Sequence, residues 1–211
     1  MLKRKLNKGR YIQALLITVS IFALGVFIGF YISEIRIREM LSSYDYLRLK
    51  ITGAILQANI LEGELCKYDV LGITGKEKVE LGRQIEEMES IRGKADKEIL
   101  RLKEDYSLLS INQLLLLEKW KNECNKNVSI ILFFYSNINN ATKSEEQGFV
   151  FDYIYSKYPD RVSIYAFDFD IDNPAVNVLK KKYDIRIVPT VVINEKVYPD
   201  FQSREKIEGL I

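Results

Sequence analysis

Histidine is absent from this 211-residue sequence, and cysteine is scarce. Without histidine the chain can form neither a Ser-His-Asp or Cys-His catalytic arrangement nor a histidine-ligated zinc site. The two cysteines are too few to build a structural zinc site from thiolates. Lysine and arginine total 31 against 29 aspartates and glutamates, and five of the basic residues lie in the first ten positions. The remainder is slightly acidic, so the sequence predicts no nucleic-acid partner, and it predicts no cofactor and no metal site.

One stretch carries no charge at all, the 22 residues from Tyr11 to Ile32. As an α-helix rising about 1.5 Å per residue it spans roughly 33 Å, enough to cross the hydrocarbon core of a membrane. A cleaved signal peptide is the alternative, but its apolar region is about 7–15 residues long and ends in small residues. This run is longer and ends in Gly-Phe-Tyr-Ile-Ser. We therefore predict an uncleaved transmembrane helix at 11–32.

The basic tail, residues 1–10, predicts the orientation of that helix. Five lysines and arginines precede the span, whereas only Arg36 and Arg38 follow it closely. The excess of positive charge marks the cytoplasmic side, so we expect the C-terminal region to be extracytoplasmic in a single-pass protein of the cell membrane. Gly25 and Gly29 have the GxxxG spacing that lets two membrane helices pack closely, so a homodimer through them is one option.

Residues 33–127 have the apolar 3-4 spacing of helical coiled coils. One such stretch runs from Ile37 to Leu65 and a second from Leu81 to Leu109, with Gly72 between them. The two stretches mirror each other, which predicts an antiparallel hairpin that folds at about residue 73. The pattern fits a stalk that oligomerises and equally one that packs only on itself, so a homodimer through the stalk is a second option.

The second stretch contains one fault, Arg92 followed by Gly93. Glycine inside a helix costs about 1 kcal/mol relative to alanine. We therefore expect the helix to stop there and to restart at Asp96, with a further amphipathic piece leading to the next domain.

The pairing of Cys66 and Cys124 is left open by this register. An even cysteine count outside the cytoplasm favours a disulfide. In the predicted hairpin, however, Cys66 lies near the tip opposite Glu80 and Cys124 lies far along the chain, while a bridge needs Cα atoms within about 7 Å. A third helix that folds back would bring the two together; an intermolecular bridge or two buried thiols are the alternatives.

Residues 128–211 change to short apolar runs that alternate with amphipathic segments. Val128 to Tyr135 is typical of a buried strand, and Asn173-Pro174 supplies an N-cap followed by proline at the first helical position. With the remaining segments the predicted order is β-α-β-α-β-β-α, an α/β domain.

That order and three stretches within it resemble the thioredoxin superfamily. The stretches are Ile131 to Ser136 (ILFFYS), Asp168 to Pro174 (DFDIDNP) and Lys182 to Asn194 (KYDIRIVPTVVIN). The combination of anchor, helical stalk and this domain also resembles an archaeal group of membrane-anchored thioredoxin-like proteins. The resemblance implies a thioredoxin-like fold with a cis peptide bond before Pro189. It also implies that an extended peptide or partner protein binds at Val188, Pro189 and Thr190.

The cysteines that define the family's chemistry are missing. The family places Cys-x-x-Cys at the N-terminus of the helix after the first strand, where the helix lowers the pKa of the first thiol. Counting back from Gln147-Gly148 puts this pair at Ala141 and Ser144, whereas counting forward from the strand puts it at Asn139 and Thr142. We prefer the first alignment, because serine is the nearest stand-in for cysteine and Ser144 can cap the helix.

The family's buried acid is also absent, because Phe133 occupies its position. The resemblance thus implies a redox-inactive protein without catalytic residues, whose function is binding. Two alternatives remain: thiol-disulfide exchange through Cys66 and Cys124, and a structural coiled-coil tether.

Asp168, Asp170 and Asp172 have the spacing that begins a calcium-binding loop. The sixth position is Asn173 rather than glycine, and the twelfth is Leu179 rather than glutamate, so an EF-hand is excluded. We expect these carboxylates to mark a solvent-exposed strand end.

Overall fold

The computed structural model describes the backbone of residues 8–211, and their side chains except at 8–10, 14 and 32–43. The predicted basic tail lies outside the described side chains, and residues 1–7 lie outside the described chain altogether. The protein divides into two compact units, Met1–Tyr46 and Leu47–Ile211.

Helix α1 runs from Lys8 to Leu61 and contains the predicted span. Its segment Tyr11–Tyr31 has a mean hydropathy of 2.3, and none of it is buried within the protein. By length and composition, this is the one helix in the described part of the chain that could cross a membrane.

The second unit begins with the last turns of α1, followed by a 3₁₀ helix, Glu62–Lys67, and by α2, Val70–Arg92. The chain therefore turns between the end of α1 and the start of α2, at residues 62–69, and the predicted turn at about residue 73 is wrong. Gly72 lies inside α2, where the Asp69 carboxylate folds over the first turn and would collide with a Cβ at this position. This glycine permits a close approach instead of breaking the helix.

The break between α2 and the next helix lies where the sequence predicts it. Helix α2 ends at Arg92, and Gly93 has φ 93°, a conformation that suits glycine. Asp96 caps α3, Lys97–Glu123, because its carboxylate accepts hydrogen bonds from the backbone N–H groups of Glu98 and Ile99.

Helix α3 returns alongside both of its predecessors. It is antiparallel to α2, as the Lys103–Glu89 and Arg92–Asp96 ion pairs indicate. It runs parallel to the end of α1, to which it is joined by the Arg48–Asp105 ion pair and by a hydrogen bond from Asn112 Nδ2 to Asn59 Oδ1. The return brings the end of α3 to the 3₁₀ helix, where Cys66 and Cys124 form a disulfide with Cα atoms 5.4 Å apart.

The remaining elements form a four-stranded sheet with helices on both faces. Strands β1 and β2 are parallel, β3 is antiparallel to β1 and β4 to β3, which gives the order β2-β1-β3-β4. The elements are β1 (Ser129–Tyr135), α4 (Ala141–Lys157), β2 (Val162–Asp168), α5 (Pro174–Lys182), β3 (Thr190–Ile193), β4 (Lys196–Pro199) and α6 (Arg204–Glu208). Their order is the β-α-β-α-β-β-α order expected from the sequence.

Each face of the sheet has its own core. One face packs α4 and α6 against Ile131 and Phe133. The other face packs α5 together with the start of α2 and the end of α3, through residues such as Val70, Leu117 and Trp120. Helices α2 and α3 thus form a layer on the sheet, and the boundary between the compact units falls at residues 46–47. An apolar helix seam does not specify whether a second helix or a sheet will cover it.

Both edges of the sheet are protected. At the β2 edge the buried Lys78 of α2 donates from Nζ to the Ile164 carbonyl (2.7 Å) and to Ser163 Oγ (3.1 Å). At the other edge β4 is only four residues long and ends in Pro199, which has no N–H. The β4 edge is therefore short and interrupted, and one outward carbonyl of the seven-residue β2 edge is occupied.

Candidate functional site

The peptide bond between Val188 and Pro189 is cis, and it leads directly into β3. Val188, Pro189 and Thr190 are all buried. Thr190 pairs with Phe134 on one side and with Pro199 on the other, and its hydroxyl donates to the Ile187 carbonyl (2.7 Å). The side chains of the three predicted binding residues therefore face the interior, and what this segment presents to solvent is Ile187, which is 52% exposed.

The loop after β1 is held in place by the hydroxyl of Ser136. This hydroxyl donates to Asp170 Oδ2 (2.7 Å) and accepts from the backbone N–H groups of Ile138 (3.0 Å) and Asn139 (2.7 Å). A serine that bridges its own loop in this way replaces a backbone turn. The loop consequently projects Ile138 into solvent, with 76% of this residue exposed.

Asn140 connects this loop to the cis-proline segment. It precedes α4 in the left-handed conformation (φ 54°), and its side chain does not cap the helix. Instead, its Nδ2 donates to the Val188 carbonyl (3.0 Å). The hydrogen bond fixes the start of α4 beside Pro189, which is the juxtaposition that the family resemblance implies.

The family's cysteine positions fall at this helix start. Ala141 is the first residue of α4, and Ser144 lies one turn later, buried, with its hydroxyl accepting from the Ser136 N–H (3.3 Å). Ser144 was expected to be able to cap the helix, but that position belongs to Asn140. Asn139 and Thr142, the alternative pair, are both exposed.

One backbone donor at the site is unused. Within residues 8–211, the N–H of Val188 makes no hydrogen bond, although the carbonyl of the same residue is paired with Asn140. Backbone N–H groups in folded proteins nearly always have a partner, which can be water or a bound chain. We call the surface formed by Ile138, Asn140, Ile187 and Val188 the Val188 groove.

A buried ion pair supports the groove from α3. Lys103 Nζ lies 2.7 Å from Asp168 Oδ2, and both side chains are almost fully buried. Asp168 Oδ2 also accepts from Asn137 Nδ2 (3.1 Å), so the pair is connected to the loop after β1. The expectation that Asp168 marks a solvent-exposed strand end is therefore wrong. The sequence did not indicate this burial, because the partner Lys103 is distant along the chain.

The chemistry available at the groove is non-covalent. No cysteine occurs between Ser136 and Ser144 or between Lys182 and Asn194. The Cys66–Cys124 disulfide joins the 3₁₀ helix to the residue that follows α3, and thus lies near the start of β1. The groove lies beyond the end of β1. The seven residues of β1 separate the two by roughly 20 Å. Among the described residues, no group of His, Cys, Asp or Glu side chains is arranged to hold a metal ion.

Comparisons with known proteins identify no family. No family model matches the chain, and no curated protein matches it. Among solved structures, a malarial protein is 21% identical, with 40% of this chain and 93% of that chain covered and a TM-score of 0.33. Thioredoxin-2, a component of the malaria parasite protein secretion machinery, is also 21% identical, with 40% and 82% covered and a TM-score of 0.33.

The germline-specific thioredoxin Deadhead of Drosophila melanogaster is 19% identical, with 46% of this chain and 89% of that chain covered and a TM-score of 0.33. Likeness at this level says nothing about what the present chain binds or does.

Proposed function

We propose that this chain is a membrane-anchored thioredoxin-like protein that binds an extended peptide or partner segment at the Val188 groove and has no dithiol activity. The observation that carries the proposal is the unused Val188 N–H, which follows the exposed Ile187, while the exposed Ile138 lies two residues from the Asn140 that binds the Val188 carbonyl. When an extended segment binds to a protein, main-chain hydrogen bonds supply affinity and neighbouring apolar surface selects side chains. The groove offers both: the Val188 N–H as a main-chain donor, and Ile138 and Ile187 as apolar surface.

The protected sheet edges support this choice of surface. An extended segment could otherwise add to the free side of β2 or β4. Lys78 occupies an outward carbonyl of β2, and Pro199 removes a donor from β4. The Val188 groove combines a backbone donor with exposed apolar side chains.

The absence of thiols at the groove supports a binding role over thiol-disulfide exchange. Exchange requires a thiolate that reaches the disulfide of the substrate. Neither Cys66 nor Cys124 meets this condition at the groove, because they are bonded to each other at the far end of β1.

The remaining parts of the proposal concern the membrane. We infer a single span at 11–32, a cytoplasmic N-terminus and a groove on the extracytoplasmic side, from the charge asymmetry around the apolar run. A homodimer through Gly25 and Gly29 or through the helices that follow the span is part of the same proposal.

Selection of peptides tests the binding role. Full-length protein in nanodiscs is used to select 12-residue peptides from a random phage-displayed library, with empty nanodiscs as counter-selection. Affinities of the selected peptides are then measured by fluorescence anisotropy. Ile187→Ser and Ile138→Ser should each weaken binding about tenfold, since each removes roughly 1.4 kcal/mol of apolar contact.

Val178→Ser is the matched control, because Val178 is 64% exposed on α5 and lies outside the groove. Its peptide affinities should equal those of the wild type. Unchanged binding by both isoleucine variants would place the peptide site elsewhere on the protein.

A further inference from the structure

A cleft of about 380 Å³ lies beside the Val188 groove, at the C-terminal ends of β1 and β2. The start of α3 forms one wall, and the loops after β1 and β2 form the others. Leu100, Ile138 and Ile171 supply its apolar surface. The cleft therefore combines a helix that precedes β1 in the chain with two loops of the β-α-β-α-β-β-α segment.

The charges of the cleft are mostly negative. Four carboxylates line it against one ammonium group, that of Lys94. Asp168 is paired with Lys103, and Lys180, whose Nζ is held by the carbonyls of Phe169 and Ile171, interacts electrostatically with Asp168, Asp170 and Asp172. With Lys94, three cations stand against four carboxylates, which leaves an excess of one negative charge.

Among the described residues, three of the carboxylates have no cation within ion-pair distance, and one of them, Asp170, already accepts from the Ser136 hydroxyl and the Asn137 N–H. Within the described part of the protein, no lysine or arginine lies within ion-pair distance of Glu104, which belongs to α3. The same holds for Asp172 in the loop after β2, whose Oδ1 accepts only from Asn177 Nδ2 (2.7 Å). The two residues approach the cleft from different walls, so a cation that entered would interact with both.

The loop after β1 joins the cleft to the groove. Ile138 lines the cleft, and Asn140, two residues later, is hydrogen-bonded to the Val188 carbonyl. Two residues of chain span at most about 7 Å. An extended peptide advances about 3.3 Å per residue, so its neighbouring side chains can reach both surfaces.

We propose that the cleft binds a lysine or arginine side chain of the segment held at the Val188 groove, so that the protein selects basic partners. This inference rests on the proposed function and adds its specificity. The aliphatic stem of such a side chain matches Leu100 and Ile138, and its cationic head matches Glu104 and Asp172. An acidic side chain would be repelled by the same carboxylates, which gives discrimination as well as affinity.

The peptides selected on full-length protein in nanodiscs provide the test. They should contain a lysine or arginine within a few residues of an apolar residue, and replacement of that basic residue by glutamine should weaken binding about tenfold. Glu104→Gln should cause a comparable loss for the basic peptide and none for the glutamine peptide. Glu104→Lys should reverse the preference, so that a glutamate at the same peptide position binds more tightly than lysine.

The control is the double variant Glu123→Gln/Asp160→Asn, which removes two exposed carboxylates outside the cleft. It should keep the wild-type preference, and thermal melting of each variant shows that it is folded. Selected peptides without basic enrichment, or a preference that survives Glu104→Lys, would overturn the inference while the binding function stands. No enrichment over empty nanodiscs would overturn both.

Discussion

At the scale of single residues, the most unusual side chain is Lys78. Its amine is buried against the Tyr165 ring, with Nζ 3.7 Å from the ring centroid, and donates to Ile164 and Ser163 without a carboxylate partner. Burial lowers the pKa of this amine from 10.5 to about 7. Desolvation disfavours the charged form, and only the ring and two neutral oxygens oppose it.

The depressed pKa predicts a pH-dependent stability. Between pH 7 and about pH 10 the unfolded chain holds a proton on Lys78 that the folded chain has released. The free energy of unfolding should therefore rise with pH over this window, by up to about 1.4 kcal/mol per pH unit, and this contribution should be flat below pH 7. Lys78→Met should remove the slope, as measured by chemical denaturation of the full-length protein in detergent.

The exposed Lys181→Met is the control and should retain the wild-type slope. An identical pH dependence in Lys78→Met would mean that the Lys78 amine titrates normally.

The sequence identifies residues whose role is local and misses those whose role is set by distant partners. The break at Gly93 and the cap at Asp96 depend on neighbours within four residues. Lys78, Lys103 and Asp168 appear in the sequence as ordinary charged residues. Their burial results from α2 and α3 packing on the sheet, which no local pattern encodes.

At the scale of elements, the Cys66–Cys124 disulfide closes a loop that contains all of α2 and α3. The sequence separation of 58 residues predicts that the bridge stabilises the fold by about 4 kcal/mol through the restricted unfolded chain. Cys66→Ser/Cys124→Ser should lower the free energy of unfolding by about this amount. If the bridge is structural, the wild type and the double serine variant should both reduce insulin disulfides no faster than a reaction without protein.

Insulin reduction by the wild type that disappears in the double serine variant would instead establish thiol-disulfide exchange through these cysteines.

Helix α1 carries a second apolar stripe within the unit Leu47–Ile211. Leu49, Leu56 and Ile60 are exposed, with Gly53 between them, and they lie on the side opposite the buried Leu47, Ile51 and Ala58. Their spacing of seven and four residues is that of a coiled-coil seam. Two copies anchored in one membrane would present this stripe in parallel, which makes it a candidate surface for the homodimer.

The stripe predicts the oligomeric state. Leu56→Glu/Ile60→Glu should convert a dimer to a monomer in sedimentation experiments in detergent, because two carboxylates per chain would be buried at the seam. Ile91→Glu, an equally exposed position on α2, should leave the dimer intact.

The rival interface is tested by Gly25→Leu/Gly29→Leu, since a Cβ at either glycine meets no atom of the chain within 4 Å. Monomers from this variant alone would assign the dimer to the span, and a monomeric wild type would contradict both surfaces.

At the scale of the whole molecule, the order of elements was predictable and their assembly was not. The length of the uncharged run specifies a helix, and the spacing of apolar residues after residue 128 specifies helices or strands. The heptad pattern in α2 and α3 fits a free stalk as well as a layer on a sheet, so the packing of these helices could not be predicted from the pattern. The family resemblance singled out the segment at Pro189, whereas no local pattern singled out Ile138 and Ile187, which the proposed site adds.

Orientation in the membrane is a property of the whole chain. Five basic residues before the span predict that Leu47–Ile211 is extracytoplasmic. Protease added to intact cells should degrade this unit, whereas a tag before residue 11 should be protected until the cells are permeabilised. Complete protection of the C-terminal unit in intact cells would reverse the topology.

The most direct test of partner binding at the Val188 groove is photocrosslinking in native membranes. A photoreactive phenylalanine derivative at position 187 should produce discrete crosslinked species that resist reducing agents, while the same probe at the exposed position 178 should not. Val188 groove binding also predicts that these species persist in the Cys66→Ser/Cys124→Ser background. Crosslinks from position 178 but none from 187 would contradict the account.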